Sequence, residues 1–286
     1  MNKLPKLSRR ELLALGGAGL ASMRIAAAPT LAQRPDPSSF QSGDLVWPKP
    51  SGAFIPYAGV SPEKSTVSAL ELREEEWQQM RVDFVKTARA NATGLAESER
   101  LYQLQLARFV EELTYSGFIN MYSAGVTADD YQTYGTGQLA YVGHVALIEV
   151  DPASGTPYIV EAVYGKNISC ESCVQRVTYA KWLETRGDIL IWHGRVRNLD
   201  ALKRAAIIAE AKKQLSKPYK FFNFNLADAG GFYCSKLAWF AIREATGIAV
   251  DGNEEPRRLI WFSPLQLMRS KTYIELLSSP GNYRNV

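Results

Sequence analysis

The sequence contains few of the residues that most often carry acid–base and metal chemistry. Among its 286 residues there are two histidines and three cysteines. It also lacks any run of 18 or more apolar residues, so no membrane-spanning helix is expected in the mature chain. A site that needs histidine or cysteine must therefore draw on a handful of positions: His144, His193, Cys170, Cys173 and Cys234.

The chain after residue 32 also has no formal net charge. The chain has 33 Lys and Arg and 29 Asp and Glu. Residues 1–32 hold five of the basic residues and one of the acidic ones, which leaves 28 of each in the remainder. Nucleic-acid binding requires a basic face, so nucleic acid is not expected as a partner.

The first 32 residues have the organisation of an export signal. A basic front is followed by the weakly apolar, Gly- and Ala-rich stretch 12–21, and small residues precede a possible cleavage after Ala32. The segment Ser8-Arg9-Arg10-Glu11-Leu12-Leu13 resembles the twin-arginine signal. We therefore expect residues 1–32 to be a signal peptide and the mature protein to be periplasmic or secreted, the alternative being a basic amphipathic helix.

The three cysteines divide into a pair and a single residue. Cys170 and Cys173 form a C-x-x-C, which in an oxidising compartment is expected to close a small disulfide loop. Free thiols, a redox pair or half of a zinc site are the alternatives, but zinc needs two more ligands and no second Cys or His pair exists. We expect no metal and no cofactor, and Cys234 is left as a lone thiol in an exported protein.

Two helices are indicated by apolar residues at helical spacing. The first contains Trp77, Met80, Phe84, Val85 and Ala88, and the second contains Tyr102, Leu106, Phe109, Val110 and Leu113. Asn91-Ala92-Thr93-Gly94 interrupts the pattern between them. We expect an antiparallel helical pair with solvated outer faces.

A β-hairpin is indicated around residues 142–164. The segments Val142–Val150 and Tyr158–Tyr164 are strand-like, and Asp151-Pro152-Ala153-Ser154-Gly155 favours a turn between them. A four-residue loop, 151–154, places His144 directly opposite Glu161 on one face of the sheet. This expectation depends on the register of the hairpin.

Cys234 is predicted to begin a helix. Gly230-Gly231 breaks the chain before it, and a buried helical face follows as far as Gly247. A helix N-terminus stabilises a thiolate and supplies N–H groups for an oxyanion. A thiolate nucleophile also needs a base. His144 has a predicted carboxylate partner, whereas His193, on a strand at 188–196, has none and is interpreted as structural or exposed.

Several short motifs together resemble the YiiX-like cysteine hydrolases, the circularly permuted branch of the NlpC-type papain-like fold. They occur in the order of that family, in which the His strand precedes the Cys helix: Gly43-Asp44, Gly143-His144-Val145-Ala146-Leu147, Val160-Glu161-Ala162-Val163, Lys217-Pro218-Tyr219, Tyr233-Cys234-Ser235-Lys236-Leu237 and Ser263-Pro264-Leu265-Gln266-Leu267. The resemblance implies an α+β domain over residues 33–286, with a small antiparallel sheet packed on the nucleophile helix. The helical pair is then an insertion at about 52–138.

The resemblance further implies a triad of Cys234 as nucleophile, His144 as base and Glu161 orienting the base. Tyr233 lines the substrate pocket or belongs to the aromatic core. The implied activity is that of an amidase or peptidase acting through a thioester on a peptide or amide substrate, such as peptidoglycan-derived peptides. A lipid acyltransferase or thioesterase on the same fold, and an inactive binding module, are the alternatives.

Overall fold

The computed structural model describes residues 34–50, 74–115, 117–118, 143–166, 169–186 and 189–280. All of them belong to a unit that spans Leu31–Val286. The predicted signal at 1–32 and most of the predicted insertion apart from its two helices lie outside the described residues. Within the described segments, no helix has the length and apolar character needed to cross a membrane.

The core of the molecule is a six-stranded antiparallel sheet. Its strands lie in the order β4–β3–β2–β1–β5–β6. Their bounds are β1 (Asp44–Pro50), β2 (Ala146–Val150), β3 (Pro157–Lys166), β4 (Glu171–Thr178), β5 (Ile189–Val196) and β6 (Ile274–Ser278). A short 3-10 helix, Pro37–Ser39, precedes β1.

The first strand extends further than its prolines suggest. It continues through Pro48 to Pro50, and Pro48 pairs with Ile191 of β5. Among the described residues, the pairs with β2 end at Val46, and beyond that point β1 is paired with β5 alone. A residue without an N–H group is tolerated where a strand is unpaired on one side.

Six helices accompany the sheet in the described segments. They are α1 (Glu74–Asn91), α2 (Glu97–Glu112), α3 (Tyr179–Arg186), α4 (Ala201–Lys212), α5 (Cys234–Thr246) and α6 (Pro264–Arg269). The two helices predicted from apolar spacing are confirmed as α1 and α2. Aromatic residues of α1 pack on the segment before α5: the Phe84 ring stacks on Phe222, and Trp77 also approaches Phe222.

The sheet separates two hydrophobic cores. On one face Leu45, Trp47 and Leu147 pack with α4, α5 and the α1–α2 pair in the larger core. On the other face Val46 and Ile148 pack with Tyr179 and Trp182 of α3 in the smaller core. The alternation follows from the two-residue period of a strand. By the same alternation, the positions of His144 and Glu161 are on the side of the sheet that faces the smaller core, whereas α5 packs in the larger core.

The β2–β3 hairpin differs in register from the prediction. Val150 pairs with Pro157 rather than Gly155, so the loop has two more residues than expected. Gly155 does adopt a positive φ of 70°. Ala146, rather than His144, then stands opposite Glu161 when the observed register is extended by one residue. Because a shift of two residues preserves the face of every side chain, His144 and Glu161 remain on the same side of the sheet.

The helix that begins with Cys234 has the bounds that the sequence indicates. Gly247 closes it with a φ of 75°, in the left-handed region that favours glycine. Before the helix, a Cβ atom on Gly231 would lie 2.6 Å from Cγ and Cδ of Lys220. The chain can pass the Lys220 side chain at this point because residue 231 has no side chain.

Candidate active site

His144 and Glu161 form a buried ion pair. His144 lies two residues before β2, and its Nε2 atom is 2.5 Å from Oε2 of Glu161 on β3. The side chains are 2% and 1% exposed, so water screens this pair little. The predicted contact is present, although the hairpin reaches it through a different register.

Three further side chains donate hydrogen bonds to the carboxylate of Glu161. Trp182 Nε1 and Arg186 Nη2, both on α3, lie 2.9 and 2.8 Å from Oε2. Gln175 Nε2, opposite Glu161 on β4, lies 2.9 Å from Oε1. The carboxylate is thereby held from the strand beside it and from the helix that covers it, which fixes its position against the imidazole.

These contacts keep Glu161 ionised. Burial alone would raise the pKa of its carboxyl group. The positive charges of Arg186 and His144, with hydrogen bonds from His144 and Trp182, outweigh burial and hold the pKa of Glu161 far below its ordinary value. An ionised carboxylate accepts hydrogen bonds, so His144 carries a proton on Nε2 and its Nδ1 atom is available to a different partner.

That other partner is Cys234. The thiol forms a side-chain hydrogen bond with His144, and its Sγ atom lies 3.9 Å from the carbonyl oxygen of Gly143. Cys234 is the first residue of α5 and is 2% exposed. The structure therefore brings all three residues predicted for the triad together, in the sequence thiol, imidazole, carboxylate.

The surroundings of His144 favour its protonated form. Burial by itself would lower the pKa of the imidazole. The carboxylate of Glu161 and the hydrogen bonds with Cys234 and Glu161 outweigh burial and raise the pKa of His144, while the positive charge of Arg186 opposes this rise. An imidazole with a raised pKa beside a thiol can accept the thiol proton.

The N-terminus of α5 presents backbone donors near the thiol. Tyr233 is its N-cap residue and, within the described helix, contributes no side-chain cap to the first-turn N–H groups. The Tyr233 side chain is fully buried instead, and its hydroxyl oxygen accepts a hydrogen bond from the Phe262 N–H at 3.1 Å. This placement favours the core interpretation of Tyr233 over a substrate-binding one.

The second histidine belongs to a separate buried cluster. His193 Nε2 lies 2.8 Å from Oδ2 of Asp44, and Arg195 donates to both oxygens of the same carboxylate. The expectation that no carboxylate faces His193 was wrong, because β1 pairs with β5 and the Asp44 carboxylate of β1 contacts the His193 ring. The structural interpretation fits its burial, at 1% exposure, and the Phe40 ring that packs against it.

Cys170 and Cys173 lie at the β3–β4 hairpin. The structure pairs them as a disulfide, with their Cα atoms 6.0 Å apart. Cys173 lies in β4, opposite Val163. Among the residues that the structure describes, no group of three or more His, Cys, Asp or Glu side chains is arranged to hold a metal ion.

Sequence reasoning did not find the side chains that surround Glu161. Trp182 and Arg186 are four residues apart, so both project from one face of α3. Neither β4 nor α3 was predicted, and without them Gln175, Trp182 and Arg186 have no position relative to the sheet. The i,i+4 spacing of Trp182 and Arg186 could have indicated that both side chains lie on one face of a helix. It does not identify the strand against which this helix face packs.

Comparisons with known proteins identify no family. No protein-family model matches the sequence, and no curated protein matches it. A solved structure described as the metalloprotein yiiX from Escherichia coli O157:H7 matches with 20% sequence identity and a TM-score of 0.36. The match covers 48% of this chain and 82% of that one. A likeness at this level establishes neither a shared fold nor a shared activity.

Proposed function

We propose that this protein is a cysteine hydrolase in which Cys234 is the nucleophile, His144 the base and Glu161 the residue that orients the base. The observation that carries this proposal is the position of His144 between the two others: Nε2 is bound to Glu161 and the ring also bonds the Cys234 thiol. The placement of the thiol at the first residue of a 13-residue helix supports it. Both features favour a thiolate.

The geometry supports acyl transfer in two steps. The Cys234 proton passes to His144, and the thiolate attacks the carbonyl carbon of an amide or ester, forming a carbon–sulfur bond. First-turn N–H groups of α5 stabilise the oxyanion that develops. The bond to the leaving group then breaks, and the imidazolium returns its proton to the departing nitrogen or oxygen.

The second step releases the acyl group. A water molecule gives a proton to His144 and attacks the thioester, and the carbon–sulfur bond breaks to yield a carboxylic acid and the Cys234 thiolate. Glu161 stays ionised throughout, because its hydrogen bonds and the Arg186 charge stabilise the carboxylate. Its role is to hold the imidazole in one tautomer and one orientation.

The proposed arrangement is that of a permuted papain-like hydrolase. The chain order His144, Glu161, Cys234 supports this, as does an antiparallel sheet that carries Glu161, with His144 two residues before its strand β2, while a helix carries Cys234. The proposed substrate is a peptide amide of the kind found in the cell wall, and the proposed compartment is the periplasm or the exterior. The twin-arginine-like segment and the Cys170–Cys173 pairing support an oxidising compartment.

The test of this proposal is the reactivity of Cys234 in the folded protein. Since the thiol is 2% exposed, a small reagent such as iodoacetamide is needed. We expect carboxamidomethylation of Cys234, located by mass spectrometry, to proceed well below the ordinary thiol pKa of about 8.5. Replacement of His144 by Gln should slow labelling at neutral pH by about tenfold or more, because the thiolate loses its imidazolium partner.

The other histidine supplies a matched control. His193 is equally buried and also bonded to a carboxylate, but its described contacts are with Asp44 and the Phe40 ring rather than with the thiol. His193→Gln should therefore leave the labelling profile of the folded protein unchanged. If Cys234 reacts only after denaturation, or if both histidine variants slow labelling alike, the thiol is a core residue and the hydrolase proposal is wrong.

Digestion assays then separate the substrate classes. The parent protein and Cys234→Ala are incubated with purified peptidoglycan and with acyl-lipid vesicles, and the products are identified by mass spectrometry. Release of peptides that requires Cys234 supports the amidase. If Cys234 is required instead for release or transfer of fatty acyl groups, the protein is a lipid acyltransferase or thioesterase rather than an amidase.

A further inference from the structure

The carboxylate that orients His144 is shared with a second cation. Arg186 Nη2 lies 2.8 Å from Oε2 of Glu161, the same oxygen that accepts from His144 Nε2. The Arg186 side chain is 9% exposed, and its guanidinium lies 4.7 Å from the centroid of the Trp182 ring. Its charge therefore acts on the ion pair through protein rather than through water, where it would be strongly screened.

Arg186 and His144 compete electrostatically for Glu161. The Glu161 charge favours the imidazolium, whereas the Arg186 charge disfavours it. Among the described residues, the charged or titratable groups with the largest effect on His144 are Glu161 from β3, Arg186 from α3 and Cys234 from α5. Without Arg186, the buried carboxylate would act on the imidazole without the opposing charge of the guanidinium.

We propose that Arg186 is a positioning residue that fixes the Glu161 carboxylate and limits how strongly His144 retains a proton. A base in acyl transfer must take the thiol proton and then return it to the leaving group, so an imidazole that binds its proton too tightly fails in the second task. The inference rests on the proposed function for the role of His144 as base. The electrostatic effect of Arg186 on His144 does not depend on that function.

The effect is measured by NMR titration of the His144 ring in a Cys234→Ser background, which removes the coupled thiol. The chain has two histidines, so a His193→Gln variant assigns both signals. Arg186→Gln retains a hydrogen-bond donor for Glu161 but removes the charge. We expect the titration midpoint of His144 to move upward by about one pH unit in Arg186→Gln.

Two further variants separate charge from structure. Arg186→Lys keeps the charge and should titrate close to the parent. Lys181→Gln removes a charge from the exposed face of the same helix, where Lys181 is 54% exposed, and should leave the midpoint unchanged. A His144 midpoint that stays or falls in folded Arg186→Gln overturns the proposal. If that variant does not fold, an upward shift of about one pH unit in Arg186→Lys overturns it equally, since the charge is retained.

The consequence for the thiol is tested separately, with Cys234 restored. The upper pH limit of the thiolate–imidazolium pair, measured by iodoacetamide labelling, should move upward in Arg186→Gln in parallel with the NMR midpoint. A parent protein whose Cys234 is inert when folded contradicts the proposed function. The NMR titration still decides in that case whether Arg186 controls His144.

Discussion

Lys236 on α5 provides a demanding test of the packing. Its side chain is fully buried, and no described residue accepts a hydrogen bond from its Nζ atom. Nζ lies 5.3 Å from the centroid of the Phe232 ring, because side chains of a helix lean toward its N-terminus. Burial lowers the pKa of Lys236 to about 7; the carboxylate of Asp228 opposes the shift, and two neighbouring lysines, Lys220 and Lys217, add to it.

The lowered pKa corresponds to a loss of stability whose sign follows from linkage. Each unit of difference between the folded and unfolded pKa is about 1.36 kcal/mol, so a change from 10.5 to about 7 costs about 5 kcal/mol at or below pH 7. Between about pH 7 and 10.5 the unfolded chain binds the proton that the folded protein lacks. The free energy of unfolding therefore rises with pH through this window, and the cost disappears at its upper end.

We expect Lys236→Met to be more stable than the parent at pH 7. Methionine retains most of the buried stem without a charge, but it loses the contact of the amine with the Phe232 ring, so the expected gain is about 2–4 kcal/mol. Guanidinium unfolding, followed by tryptophan fluorescence, measures it at pH 7 and at pH 9. The gain should be clearly smaller at pH 9.

The control for this measurement is Lys213→Met, at a lysine that is 64% exposed, which should change the free energy of unfolding little at either pH. Equal gains for Lys236→Met at both pH values would mean that packing rather than charge is responsible. No gain at pH 7 would mean that the amine is solvated or paired in solution, contrary to the structure.

Three further predictions concern other parts of the chain. Glu161→Gln should remain folded and lower the turnover rate on a cleaved substrate by a factor of about ten to a thousand, because the imidazolium loses its charged partner; a fully active variant would return Glu161 to a structural role. The double variant Cys170→Ser/Cys173→Ser should keep Cys234 labelling and lose up to a few kcal/mol of stability, measured by thermal unfolding; an intact fold without labelling would contradict this. Replacing Arg9 and Arg10 by Lys should retain the precursor in the cytoplasm, as seen by fractionation, whereas unchanged export and processing near Ala32 would show that the segment is not a twin-arginine signal.

Local patterns predicted the elements that carry the candidate triad. The Gly230-Gly231 break and the apolar spacing after it located the start of α5 at Cys234. Alternation located β5 and most of β3, because side chains on a strand repeat every two residues. These patterns depend on neighbours in the chain, and for that reason they can be interpreted without the tertiary structure.

The pairing of His144 with Glu161 was predicted for a partly incorrect reason. The expected four-residue loop gave a register two residues away from the observed one. The contact is nevertheless present, because a register shift of two residues leaves each side chain on the same face of the sheet, and an imidazole can reach a diagonal neighbour on the adjacent strand. A shift of one residue would have separated the two side chains.

The sequence by itself determined which residues are available for the chemistry: a lone cysteine at a helix start, two histidines and a carboxylate on a hairpin. Only the tertiary structure decided how that carboxylate is held. Gln175, Trp182 and Arg186 come from a strand and a helix that local patterns did not reveal, and they meet Glu161 only after the sheet has formed. Contacts between elements distant in the chain depend on packing rather than on local periodicity, and the charge environment of His144 is of this kind.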